Sequence, residues 1–63
     1  MTAESVSWVD YRITYNVIAD SRLEAIGKAV ELLRTGVAVR EVVEAEQGTP
    51  GWWDVVLDVR EAL

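Results

Sequence analysis

Between Val9 and Val17 apolar and polar residues alternate without a break, with Val9, Tyr11, Ile13, Tyr15 and Val17 at odd positions and Asp10, Arg12, Thr14 and Asn16 between them. Successive side chains of an extended chain point to opposite faces, so a period of two marks a half-buried strand. Trp8 and Val6 belong to the even, otherwise polar, side. The strand is therefore expected over about residues 6–18, with two apolar side chains directed away from the main core.

The period then changes. Leu23, Ile26, Ala29, Val30 and Leu33 recur at three- and four-residue spacing and predict the core stripe of an amphipathic helix over about 21–35. Ser21 followed by Glu24 fits a capping box, with Asp20 as the competing N-cap. Gly36 is suited to a left-handed C-cap, and Arg34 is well placed in a last turn. Ala25 and Leu32 fall off the predicted stripe and form a second, modest apolar strip.

Val37 to Glu46 is rich in valine but imperfect in alternation: Val37, Val39, Val43 and Ala45 share a phase that Glu41 interrupts and Val42 opposes. A strand over 37–46 with a bulge or bend accounts for this. The segment Gln47-Gly48-Thr49-Pro50-Gly51 is dense in turn formers and has a normal length for a hairpin connection. A last strand is expected over about 52–60. In it Trp53, Val55, Leu57 and Val59 face one way, and Trp52, Asp54, Val56, Asp58 and Arg60 the other.

An order of strand, helix, strand, hairpin and strand has few compact solutions, because the crossover is right-handed and the helix must cover an apolar sheet face. The expected fold is α+β: a single small β-α-β-β domain spanning 1–63, its one helix packed on one face of a three-stranded sheet. The third strand is expected in the centre, antiparallel to both others.

At 63 residues such a domain has a small core, and chains of this size commonly lean on disulfides, a metal or a partner subunit. There is no cysteine and no histidine, which removes disulfides, thiolate sites and the commonest transition-metal ligand. Oligomerisation is the supplement that remains. The net charge of −5, with only six basic residues, argues against binding a phosphate backbone. Apolar runs are too short for a membrane span, and Met1 to Asp10 lacks the pattern of a secretory signal, so a cytoplasmic protein is expected.

One helix covers one sheet face. Trp8, Trp52, Val56 and Val42 are therefore expected on the opposite face, toward solvent or a partner, and form the candidate interface. Two tryptophans are costly to leave in water, and aromatic anchors dominate interface energetics. The competing reading folds Trp8 back over Trp52 within one subunit. The acidic residues Glu41, Glu44, Glu46, Asp54 and Asp58 match no calcium-loop spacing and are expected to form a solvated face rather than a metal site. The serines have no adjacent base and the glycines form no phosphate loop, so catalysis is not expected.

The layout of Tyr11 to Val17, Asp20 to Leu33, Val37 to Glu46 and Trp53 to Val59 resembles, in element order and length, the dodecins, small flavin-binding proteins that assemble as closed shells. In that family a tryptophan on the second strand stacks on flavin. Here the second strand contains none, so no site residue carries over; the same order also occurs in half-ferredoxin-like domains that dimerise through their sheets. What the resemblance implies is assembly. The expected function is a small acidic, non-catalytic, cofactor-free protein that self-associates and serves as a protein-binding or regulatory module, a role compatible with a viral or mobile-element accessory protein. The alternative is a binder of a planar molecule, a flavin or a nucleotide, stacked on Trp52 or Trp8.

Overall fold

The computed structural model describes residues 7–62. Four elements follow one another: β1 (Trp8–Ile18), α1 (Arg22–Glu31), β2 (Val37–Gln47) and β3 (Trp52–Ala62). They form one antiparallel sheet in the order β1-β3-β2, with α1 on one face, which is the expected α+β arrangement with the third strand central. Val6, the expected start of the first strand, lies outside the described residues.

β1 and β3 pair over their whole lengths without irregularity, from Trp8 opposite Ala62 to Ile18 opposite Trp52. Their alternation places Val55, Leu57 and Val59 of β3 fully out of solvent beneath the helix, with Tyr11, Ile13 and Tyr15 of β1 packed half-buried beside them. The hairpin to β3 closes through a turn in which the Trp52 N–H donates to the Thr49 carbonyl (2.8 Å). Pro50 supplies the fixed φ at its second position and Gly51 the positive φ, 84°, at its third, the chemistry of a type II turn.

The helix start follows its sequence signature. The Ser21 hydroxyl accepts from the Glu24 N–H at 3.2 Å, and the Glu24 carboxylate accepts from the Asp20 N–H at 3.1 Å. The return bond thus reaches one residue beyond the N-cap itself.

The helix face is rotated from the expected stripe. Ala25 and Ala29 are completely buried, whereas Leu23 is 80% exposed and Val30 is also exposed. Side chains four apart on a helix lie one above the other, and the Ala25–Ala29 pair, buried in the core, lets the helix settle close onto the sheet. Larger residues on that line would hold the helix off the sheet. Ile26 and Leu33 flank the buried line and complete the packing, while Leu23 and Val30 point past it.

The helix is also shorter than expected. It ends at Glu31 with Leu32 as C-cap, and the Leu32 and Leu33 N–H groups bond back three residues to Ala29 and Val30. Gly36, at φ 93°, serves not as the helix cap but in a turn closed by the Val37 N–H on the Arg34 carbonyl. Geometry requires this. Ten helical residues span about 15 Å, against roughly 36 Å for an eleven-residue strand, so 32–36 must carry the chain back to the start of β2.

β2 carries two register irregularities against β3, between Val39 and Glu41 and between Val42 and Glu44. Each inserts one residue and reverses the face that follows. The side chains packed toward the helix are therefore Val37, Val39, Val42 and Ala45, and Val43 is left exposed. This corrects the expected phase: Val42 belongs to the core side rather than to the outer face.

Candidate interaction surface

The outer face of the sheet, away from α1, is built from the even-numbered residues of β1 and β3 together with Ala38, Glu41, Glu44 and Glu46 of β2. Toward the Trp8 end it carries a network of charge rather than an apolar patch. The Asp10 carboxylate accepts from Arg60 Nε (2.7 Å) and Nη2 (3.1 Å) and from Arg40 Nη1 (3.1 Å). Arg40, set free of the ladder by the first irregularity of β2, also reaches Asp58 at 3.8 Å. Further along, Asn16 donates to Asp54 at 2.6 Å.

These contacts hold the Asp10 carboxyl below its ordinary value of 3.8: the hydrogen bond from Arg60 contributes most, desolvation opposes it, and the charges of Arg40 and Arg60 add to the lowering. In the pH range between the folded and unfolded values, the unfolded chain binds the extra proton, so stability there increases with pH. The contribution is complete above about pH 4 and disappears as pH falls through the folded value. Asp10→Asn is expected to flatten the dependence of the urea midpoint on pH below about 4 while leaving its shape above 5 unchanged. An identical acid limb in the variant would show that the triad adds nothing.

Three of the four expected interface residues, Trp8, Trp52 and Val56, lie on this face, in different parts of it. Trp8 is 56% exposed at one end, where it lies 6.0 Å from the Arg60 guanidinium. Trp52 is 41% exposed at the other end, beside Ile18, itself 57% exposed. Ten strand residues, roughly 33 Å, separate the two ends. Trp8 therefore does not fold over Trp52 within a subunit, and the two do not make one patch. Val56 lies between them, half-buried, with Thr14 on one side and Glu44 on the other. Val42 is on the opposite side of the sheet, against the core.

Two features at the Trp52 end were not visible in the sequence. An open groove of about 540 Å³ runs along the rim of β1, lined by Asn16, Val17, Ile18, Lys28, Glu31, Leu32 and Trp52. Within it Lys28 Nζ donates to the Ile18 carbonyl at 2.6 Å. A smaller hollow of about 300 Å³ lies at the hairpin mouth among Asn16, Gly48, Thr49, Trp52 and Asp54. At the far end, on the helix side, Arg34 forks onto both oxygens of Glu61 (2.7 and 2.8 Å), and the Tyr11 hydroxyl donates to the same carboxylate at 3.0 Å. That cluster fastens the 32–36 segment to the end of β3. Among the described residues no three acidic side chains gather as an ion site, and no helix is long and apolar enough to cross a membrane.

No known protein family, curated protein or solved structure matches this chain.

Proposed function

We propose that the chain is a small non-catalytic protein that self-associates and acts as a protein-binding or regulatory module. The observation that carries this reading is the distribution of its apolar side chains. Trp8, Ile18, Leu23, Leu32 and Trp52 stand in solvent, while the largest side chain fully buried is a single leucine, Leu57. Large side chains left outside a core of valine and alanine are the material of an interface, and tryptophan is the residue type most often decisive in one. The residue inventory agrees: without histidine or cysteine the usual activated nucleophile–base pairs are missing.

Absolute mass by light scattering, across a concentration series, tests it. The wild type is expected to exceed the 7.0 kDa of one chain and to approach that mass on dilution. Trp52→Ala is expected to shift the transition to higher concentration while its circular dichroism stays that of the wild type. A protein that stays at the mass of one chain at high micromolar concentration overturns self-association.

The groove beside Trp52 supports a second reading, a planar ligand stacked on the indole with Lys28 near its polar edge. Saturable quenching of tryptophan fluorescence by flavin mononucleotide or an adenine nucleotide, abolished in Trp52→Ala, would favour it over the first.

A further inference from the structure

We infer that β1 is the self-association edge, and that two copies join antiparallel through it about a two-fold axis at Ile13, merging two sheets into one of six strands. This rests on the reading of the chain as a self-associating protein and gives that reading a surface and a register.

The sheet has two edges of very different character. β2 is broken by two irregularities and lined by Glu41, Glu44 and Glu46, features that discourage another strand from pairing. β1 is eleven residues long and regular, without proline, glycine or lysine, and among the described residues only β3 pairs with it. Its hydrogen-bonding groups can be assigned. The Ala19 N–H donates to the Gly51 carbonyl at 3.0 Å, one step beyond the Ile18–Trp52 pair. Since bonded and non-bonded pairs alternate in an antiparallel ladder, the odd residues of β1 bond to β3 and the even residues turn their N–H and C=O groups outward. The bond from Lys28 to the Ile18 carbonyl, an outward group, agrees with this assignment.

The sequence of β1 is self-complementary about Ile13. Two antiparallel copies centred there place Val9 opposite Val17, Tyr11 opposite Tyr15 and Ile13 opposite itself on the helix side. On the outer side they place Trp8 opposite Ile18, Asp10 opposite Asn16 and Arg12 opposite Thr14. No like charges face each other, and all eleven residues are paired. Shifting the centre to Arg12 sets two arginines opposite one another and leaves Ile18 unpaired; shifting it to Thr14 faces Asp10 with Ile18 and leaves Trp8 unpaired. Only the Ile13 register sets the exposed Trp8 of one copy opposite the exposed Ile18 of the other, with Trp52 one strand further in, twice per dimer. Lys28 then gives up the Ile18 carbonyl to the N–H of Trp8 from the second copy.

Thr14 separates this arrangement from any other. In the dimer it faces Arg12 of the second copy; within its own subunit it sits opposite Val56, with Asp54 and Asp58 on the diagonals. Thr14→Glu therefore creates two attractive pairs across the joint but meets like charge inside the subunit, and Thr14→Arg does the reverse. With the Kd of self-association measured by sedimentation equilibrium, Thr14→Glu is expected to tighten it and Thr14→Arg to weaken it, each by about 2- to 30-fold. Urea unfolding is expected to rank the two folds in the opposite order. A dimer whose Kd is insensitive to both changes, or that ranks them the other way, overturns the β1 joint while self-association stands. A wild type that never exceeds the mass of one chain overturns both.

Discussion

Trp53→Ala is expected to lower the stability of the fold by about 3 to 5 kcal/mol, the cost of truncating a large aromatic in a packed site. Trp53 packs against the buried cluster between Val17 and Gln47, and its indole N–H donates to the Ala19 carbonyl at 3.0 Å. Ala19 is nearly inaccessible to solvent, so the truncation leaves both a cavity and a carbonyl without its donor. The neighbouring Trp52 faces the other way, and Trp52→Ala is expected to leave a folded subunit. Urea unfolding of both variants, each at the same low concentration, makes the comparison. A larger loss in Trp52→Ala than in Trp53→Ala would mean that the phase of β3 is reversed.

Leu57→Ala is expected to cost about 2 to 5 kcal/mol, a large share of what a chain of this size has at its disposal. Leu57 occupies the middle of the central strand, opposite Ile13 on one side and Val42 on the other, and it is the largest fully buried side chain. The other buried members of the core are valines and alanines, which are short and, for valine, stiff about χ1, so they cannot move in to fill the space. The expected result is a protein unfolded at room temperature when dilute. Under the proposed self-association, which would stabilise only the folded form, the thermal midpoint of Leu57→Ala is expected to rise with protein concentration. A midpoint equal to that of the wild type at every concentration would place Leu57 outside the core.

Much of this architecture can be read from the residues because several signals agree. The alternation in β1 and β3, the Ser21–Glu24 pair and the Thr49-Pro50-Gly51 turn each specify a local geometry that the whole fold also requires. The helix phase is different. Ala29, Ile26 and Leu33 pack where the stripe sets them, but hydrophobicity alone favours Leu23 and Val30 over Ala25, and close approach of helix to sheet selects the small residue. In β2 the pattern announces an irregularity without locating it. Two single-residue insertions turn an alternation of two into steps of three, from Val39 to Val42 to Ala45, and Val42 moves to the core side in consequence. Gly36 fits a helix cap and a turn equally well, and only the span back to β2 decides between them. For the candidate surface, alternation correctly sets Trp8 and Trp52 on the outer face. Their separation along it depends on the antiparallel register, which alternation does not contain.

The irregular course of β2 has a bearing on how far assembly can go. A sheet that offers two regular rims is a bifunctional monomer, each addition presenting a fresh acceptor, and its natural product is a ribbon of indefinite length. Here one rim is regular, and the other is offset twice and carries Glu41, Glu44 and Glu46. For the proposed β1 joint such a subunit would have a valence of one. Joining two of them through β1, as proposed, would consume the regular rim, so growth would terminate at the pair, and the acidic rims left at its ends would repel other pairs rather than recruit them.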